Sequence, residues 1–256
     1  MAERIVTLWI GARLGRTERA CLRAALRHGH EVALYTYGDL AGVPEGVERR
    51  DAAAILPEAR MLRYPNGSVA IFANWFRYEL LRRGAGIWMD TDSYLLAPLR
   101  DAPDHLFGWE EEGRRISNGV LRLPSDSPIL DDLLALFEER VVPAWLPLHQ
   151  RLLAALRLLR TGRTGVELMP WGSTGPRALT ALARRYGAAQ AAVPPSRYYP
   201  VHYRDAGWIR DPGRSLEAMI APDTVAVHLW NELIKDWKDA PAPAGSFLAR
   251  LQAEGE

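Results

Sequence analysis

Ala85-Gly86-Ile87-Trp88-Met89-Asp90-Thr91-Asp92 places two carboxylates one residue apart at the end of a strongly apolar run. The apolar run predicts a buried strand, and ligands of open α/β sheets bind at the carboxyl ends of strands. Two neighbouring acids repel each other, so a cation is their natural third partner. Carboxylate oxygens suit Mg²⁺ or Mn²⁺, which proteins usually share with substrate phosphates. The stretch therefore predicts an α/β fold with a metal and diphosphate site at a strand end.

The segments before this stretch predict a parallel sheet with crossover helices. Residues 5–10 have the composition of a first strand and residues 31–37 that of a second. Between them we expect a helix over 18–28, with Thr17 as its N-cap. Residues 68–83 carry one apolar stripe and predict a longer helix directly before the acidic strand. Strand, helix and strand in this order indicate a parallel pair.

The segments after the acids predict three more strands and three more helices. The strands are expected at 106–109, 119–123 and 225–230, with a charged loop at 110–115. The helices are expected at 129–142, 145–160 and 177–186. We expect a single domain over 1–240, a helical insertion at about 128–165, and a loosely held tail over 241–256.

The bulk composition excludes several classes of protein. The chain has 256 residues, of which 48% are hydrophobic and 25% charged, with a formal net charge of +1. So small a net charge gives no global field for nucleic acid. Cys21 is the only cysteine, which excludes a disulfide or a cysteine zinc site within one chain. The chain enters a strand without a signal peptide and contains no apolar stretch that could span a bilayer, so a cytoplasmic location is expected.

The predicted helix over 145–160 mixes arginine with leucine. Arg151, Arg157 and Arg160 stand among leucines, Leu152, Leu153, Leu156 and Leu159. Such a helix could lie on an acidic membrane surface. The favoured interpretation is a helix that packs on the domain with its arginines at the rim. Peripheral contact with the inner membrane stays open as the alternative.

Five residues outside the acidic stretch are candidates for the same site. Asn74 and Arg77 lie three apart on a predicted helix and share a face, from which they could bind sugar hydroxyls or phosphate. Trp9 ends the first strand, where it could stack on a nucleobase or pack in the core. His228 and Trp230 are two apart in the last predicted strand and are expected on one face. The His228 ring could ligate a metal or be a core residue.

These motifs together resemble the D-x-D glycosyltransferases of family 32 and the related glucosylating domains of clostridial toxins. The main similarity runs from Phe76 to Asp92 and includes the helix, the glycine break and the two acids. Trp9-Ile10-Gly11 resembles the family's first-strand W-I-G, and His228-Leu229-Trp230 its C-terminal H-x-W. Further similarities lie at Asn118-Gly119-Val120, Gly175-Pro176 and Tyr199-Pro200.

The resemblance implies a GT-A fold, in which a Rossmann-like mixed sheet is flanked by helices and carries a helical subregion. It also implies a retaining hexosyltransferase that uses a nucleotide sugar, most often a UDP-sugar, with Mn²⁺ or Mg²⁺. The acceptor would be a glycan, a lipid-linked sugar or another small molecule, as in polysaccharide biosynthesis.

The resemblance implies a role for each matching residue. Asp92 would bind the metal directly, and Asp90 would contact ribose or sugar hydroxyls and help to place it. Arg77 would hold the donor sugar or diphosphate. His228 and Trp230 would close over the diphosphate from the C-terminal side, with His228 as the third candidate metal ligand.

Donor binding would involve the first strand and the helix before the acids. Trp9, followed by Ile10 and Gly11, would stack on the uracil. Asn74 stands where the family usually has aspartate, so the contact with a donor-sugar hydroxyl loses its charge. Ala85 replaces the first glycine of a pair, and Trp88 replaces a tyrosine.

Two alternatives remain at the level of the sequence. A haloacid-dehalogenase-type phosphatase also has a D-x-D after an apolar strand, with the first aspartate as nucleophile. Such enzymes use a later lysine, and here the two lysines, Lys235 and Lys238, lie near the C-terminus. The other alternative is a protein that binds a nucleotide sugar without transferring it, or an interaction subunit, because Asn74 replaces an acid.

Overall fold

A computed structural model describes residues 3–256 of the chain. These residues form a five-stranded central sheet and two small two-stranded sheets. The strands are β1 (Ile5–Trp9), β2 (Val32–Thr36), β3 (Val47–Asp51), β4 (Ile87–Met89), β5 (Ser93–Leu95), β6 (Trp109–Glu111), β7 (Arg115–Ile116), β8 (Val120–Leu121) and β9 (Ala226–His228).

The central sheet has the order β3-β2-β1-β4-β8. Its first four strands are parallel and β8 is antiparallel to β4. The small sheets pair β5 with β9 and β6 with β7, both antiparallel. The predicted α/β class and parallel first pair are confirmed, and the mostly parallel sheet flanked by helices is compatible with a Rossmann-like fold.

The longer helices cover both faces of the sheet. The helices are α1 (Arg16–Arg27), α2 (Ala70–Arg82), α3 (Pro128–Ala135), α4 (Leu148–Thr161), α5 (Pro176–Arg185), α6 (Pro195–Tyr198), α7 (Leu216–Met219), α8 (Asn231–Ile234) and α9 (Phe247–Glu254). The expectations for α1, α2, α4 and α5 are confirmed to within three residues at each end.

Alternation along the strands divides the core into two clusters. Ile5 and Ile87 point into a cluster with α1 and α9, while Val6, Leu8 and Trp88 point into one with α2, α3 and α5. Successive side chains of a strand face opposite sides of the sheet, which is why both faces need apolar cover. The runs in β1 and β4 are therefore apolar on both faces, apart from Thr7 in β1.

The approach of β4 to β1 requires a glycine. Gly86 has φ +144, and a Cβ there would come within 2.5 Å of the Arg4 carbonyl oxygen. The Ile87 N–H donates to that same carbonyl. Gly86 therefore lets the acidic strand join the sheet edge to edge with β1.

Three local expectations were wrong. Helix α1 starts at Arg16 after Gly15, so Thr17 is not its N-cap, and the Thr17 hydroxyl instead donates to the Glu18 carboxylate. The strand expected at 106–109 and the loop at 110–115 are instead a hairpin, because β6 and β7 pair around a turn at Gly113. The helix expected at 129–142 ends at Ala135 and continues only as a short 3₁₀ turn, Leu136–Glu138.

Helix α4 packs on the domain through Ala154, but most of its leucines are exposed, so the favoured interpretation holds only in part. Ala154 is the buried residue of the helix, and Leu148, Leu152, Leu156 and Leu159 are all exposed. Within residues 3–256, no helix has the length and apolarity that crossing a membrane requires.

The segment after Asp239 is not a loose tail. Its helix α9 buries Phe247, Leu248 and Leu251 in the cluster shared with α1. The Gln252 side-chain amide donates to the carbonyls of Lys238 and Ala240, which ties the preceding loop to the helix. The segment looked isolated because its partner surface comes from distant parts of the chain, α1 together with Tyr94 and Trp208.

Leu251→Ala tests this packing. Leu251 is fully buried, so we expect the free energy of unfolding to fall by about 2–5 kcal/mol, the usual cost of emptying a leucine site. Chemical denaturation measures the change. Ala253→Ser, at an exposed position of the same helix, is the matched control and should shift it by less than about 0.5 kcal/mol. An equal change in the free energy of unfolding of the two variants would contradict the packing of α9.

Candidate functional site

Two strand pairings bring the acids and the histidine together. Asp90 follows β4 directly, and Asp92 immediately precedes β5. In the β5–β9 pair, Ser93 is opposite His228, the last residue of β9. The antiparallel register therefore places a histidine from the C-terminal region beside two acids that lie 136 and 138 residues earlier.

The three side chains form a compact cluster. The Nε2 atom of His228 lies 3.6 Å from Asp90 Oδ2 and 3.4 Å from Asp92 Oδ1. One ligand atom from each residue falls within 4.8 Å of the others, a grouping that can hold a metal ion. A Cβ at Gly119 would lie 3.1 Å from the His228 ring and 3.2 Å from Asp90 Oδ2, so glycine leaves room for the cluster.

Each carboxylate has one oxygen fixed by the protein and one facing the histidine. Asp90 Oδ1 accepts hydrogen bonds from Arg77 Nη2 and Trp88 Nε1, both at 2.7 Å. Asp92 Oδ2 accepts from the backbone N–H of Asn231 at 2.7 Å. The remaining oxygens converge on the His228 ring and are free to share a cation.

The charges of the cluster shift its pKa values in opposite directions. Burial alone would raise the pKa of Asp90, but the Arg77 guanidinium and His228 outweigh it and hold that pKa below its usual value. Burial alone would lower the pKa of His228, but Asp92 and Asp90 raise it. The backbone N–H of Trp230 donates to His228 Nδ1. The neutral His228 ring therefore carries its proton on Nε2, which faces the acids.

The cluster opens into a cavity of about 540 Å³. This volume is in the range of small-molecule sites. The walls include Asn74, Arg77, Glu110 and Trp171 as well as the cluster itself. A second cavity, of about 460 Å³ near His105 and Tyr186, lacks any comparable acid and histidine group among its described lining residues.

Asn74 belongs to a polar network in the cavity wall. Its Nδ2 donates to the Thr174 hydroxyl at 3.1 Å, and its Oδ1 accepts from Asn118 Nδ2 at 2.9 Å. The Tyr78 hydroxyl donates to the Thr174 carbonyl beside them. An aspartate at position 74 would lose the amide donor to Thr174, so this network favours the neutral side chain.

The first-strand candidates do not line the described cavity. The Trp9 indole N–H donates to the Arg13 carbonyl at 3.0 Å, and the Lys238 ammonium lies 5.7 Å from its ring. Ile10 packs against the core cluster around α2, and Gly11 lies against the Trp9 ring. Trp9 stands at the same sheet edge as Asp90, but the structure does not bring it into the cavity wall.

Trp230 is outside the last strand rather than within it. The strand ends at His228, and Trp230 has a left-handed backbone with φ +58. The predicted shared strand face was therefore wrong. The two rings still meet, with centroids 4.5 Å apart, and the Trp230 indole donates to the Val201 carbonyl.

The sequence did not identify three residues that line the cavity, Glu110, Arg115 and Tyr203. The β6–β7 hairpin carries the Glu110–Arg115 ion pair into the cavity wall, and the arginine lies 5.4 Å from the Tyr203 ring. The Glu110 side chain is only 8% exposed, and burial raises its pKa. The three acids followed by two arginines in 110–115 were the available signal, but they predicted a solvated loop.

Buried polar atoms without a protein partner indicate a polar ligand for the cavity. Among the described residues, Arg77 Nε and Nη1 and Asn231 Oδ1 have no hydrogen-bond partner. Buried polar groups are normally paired, so unpaired ones at a cavity wall favour a ligand that supplies the missing partners. The Arg77 guanidinium also lies 4.6 Å from the Trp88 ring, which restricts its orientation.

No protein-family model and no curated protein matches this chain.

Arg77→Met tests the ion pair that holds Asp90. The Asp90 side chain is 27% exposed, so losing its charged partner should lower the free energy of unfolding by about 2 kcal/mol in metal-free protein. Denaturation in the presence of a chelator measures it. The control is Arg82→Met, because Arg82 lies on α2 like Arg77 but forms an exposed ion pair, with Asp131 of α3. This change should lower the free energy of unfolding by less than about 1 kcal/mol. A smaller loss for Arg77→Met than for Arg82→Met would contradict the assignment.

Proposed function

We propose that this chain is a GT-A glycosyltransferase that moves a hexose from a nucleotide sugar, with UDP as the favoured nucleotide, to an acceptor with retention of configuration. The observation that carries the proposal is the Asp90, Asp92 and His228 cluster, with Arg77 beside it, at the carboxyl edge of a mostly parallel sheet. A nucleoside diphosphate needs cationic groups at such an edge. Arg77 is such a group, and it lines a cavity of suitable size.

The cluster fits a divalent cation. Asp92 and Asp90 offer one free carboxylate oxygen each, and His228 offers Nε2 once its proton is released. Carboxylate oxygen with imidazole nitrogen suits Mn²⁺, and Mg²⁺ accepts the same oxygens. When bound, the ion would supply positive charge to the departing diphosphate. The hydrogen bonds from Trp88 and Asn231 would keep both carboxylates oriented without occupying the shared oxygens.

Arg77 supplies fixed positive charge to the same region. One of its nitrogens pairs with Asp90, while Nε and Nη1 are without protein partners at the cavity wall. Donors that are held in place before the reaction stabilise charge that develops in the transition state. Arg77 would therefore bind the diphosphate or the donor sugar and favour its departure.

Other polar groups of the cavity wall would hold the sugar and the acceptor. The amides of Asn74 and Asn118 and the carboxylate of Glu110 can exchange hydrogen bonds with hydroxyl groups. The sugar develops positive charge as the diphosphate leaves, as in glycoside hydrolysis. The acceptor hydroxyl would enter beside the leaving phosphate, and no nucleophile of the protein is assigned.

The two alternatives receive less support. In a dehalogenase-type phosphatase the first aspartate attacks phosphorus, but Asp90 Oδ1 is held by two donors, and Lys235 and Lys238 do not line the described cavity. Lys238 is instead buried in an ion pair with Glu18. A binding module without turnover would share the whole site, so activity is what separates it from a transferase.

Calorimetry with UDP and Mn²⁺ tests the metal and nucleotide site. We expect binding that requires the metal, and we expect Asp92→Ala to weaken it by more than about 100-fold because a direct ligand is lost. Asp104→Ala removes an exposed acid outside the cavity and should leave affinity unchanged. Absence of UDP binding by the wild-type chain would eliminate both the transferase and the binding module.

A hydrolysis screen over nucleotide sugars tests turnover. We expect slow, Mn²⁺-dependent release of UDP from one donor sugar, lost on chelation and reduced about 10²- to 10³-fold in Arg77→Lys, which keeps the charge but alters the fork of donors. Binding without any hydrolysis or transfer would indicate the module. Rapid hydrolysis of a generic phosphate ester that is lost in Asp90→Asn would instead indicate the phosphatase.

A further inference from the structure

Helix α4 presents a continuous apolar stripe to solvent. Leu148, Leu152, Leu156 and Leu159 recur at intervals of four, four and three residues, which places them on one helix face. Their exposed fractions range from 43% to 85%. The buried contact of the helix, Ala154, lies on the other side. Four exposed leucines in one stripe are uncommon on a solvated surface and mark an interaction site.

Positive charge borders this stripe on both edges. At about 100° per residue, Arg151 falls on one side of the four leucines and Arg160 on the other. Both arginines are exposed, and residues 148–161 contain no acidic residue. An apolar stripe with arginine at each edge matches a helix that lies in the interface of an anionic bilayer.

We propose that this face of α4 docks on an anionic lipid surface. The leucines would enter the boundary of the acyl chains, while the arginine side chains extend along the helix and place their guanidinium groups among lipid phosphates. The attraction to anionic lipid adds to the apolar term and acts only near the surface.

Charge argues against a second copy of this chain as the occupant. Two stripes packed face to face would bring two arginine-bordered helices together without any acid on either one. Like charges at such short range repel. An anionic lipid surface supplies the negative groups that both edges of the stripe need.

The stripe is connected to the cavity of the candidate site. Beyond α4, the chain continues through exposed Leu168 to exposed Trp171, which lines the cavity. Before α4, the Trp145 indole donates to the Ser173 carbonyl at 2.8 Å, next to that wall. Docking would therefore hold the cavity close to the lipid.

Lipid binding is measured without turnover, so this inference does not depend on the proposed function.

Vesicle co-sedimentation tests the docking surface. The full chain should bind vesicles of phosphatidylcholine with phosphatidylglycerol, and added salt should weaken the binding because it screens the arginines. Leu152→Ser with Leu159→Ser should weaken it at least about tenfold. Arg151→Gln with Arg160→Gln should weaken it about tenfold or more on anionic vesicles and have no effect on pure phosphatidylcholine.

Matched controls come from helix α5 and its end. Arg184→Gln with Arg185→Gln removes two exposed arginines, and Tyr186→Ser removes an exposed apolar ring, so both variants should bind vesicles as the wild type does. Thermal unfolding verifies that the α4 variants are folded. The inference would be overturned by a wild type that does not bind anionic vesicles, by leucine variants that bind as the wild type does, or by a dimer that is lost in the leucine variants and does not bind vesicles. Binding only to an acidic protein would overturn it as well.

Discussion

Two carboxylates one residue apart at the end of a buried strand need positive groups or hydrogen-bond donors around them, and this constraint links the main elements of the fold. Arg77 comes from α2, Trp88 from β4, the Asn231 N–H from α8, and His228 from β9. Each element must be in place before the acids can be enclosed. The strand pair β5–β9 matters most, because it brings His228 beside two acids that lie far earlier in the chain.

The same constraint gives the two acids different surroundings. Asp90 faces a guanidinium and an indole, whereas Asp92 faces a backbone amide, and both leave one oxygen toward His228. A cation at that point would complete the cluster rather than rearrange it. The cavity beyond it has polar walls on the side of Asn74 and Glu110 and exposed apolar groups at Trp171 and Leu233. Such a cavity suits a ligand with both charged and less polar parts.

The parts of the fold that were predicted share strong local signals. β1, β2 and β4 are largely apolar runs, α1 and α5 have one buried face, and α2 is apolar and buried over most of its surface, so local composition and periodicity were sufficient. The parts that failed depend on distant partners. The hairpin at Glu110 and Arg115 is charged but becomes a cavity wall, and α9 is a short segment whose apolar face needs α1. Neither property is visible in a local window.

By itself, the sequence determined the α/β class, the apolar strand that ends in Asp90 and Asp92, and the helix that presents Arg77 to them. These follow from periodicity and from the few residues that separate the helix from the acids. Only the tertiary structure decided that His228 completes the cluster, that Trp9 is held by Arg13 outside the cavity wall, and that most leucines of α4 face solvent. The physical reason is that strand register, helix contacts and exposure depend on residues far away in the chain, which composition and spacing do not encode.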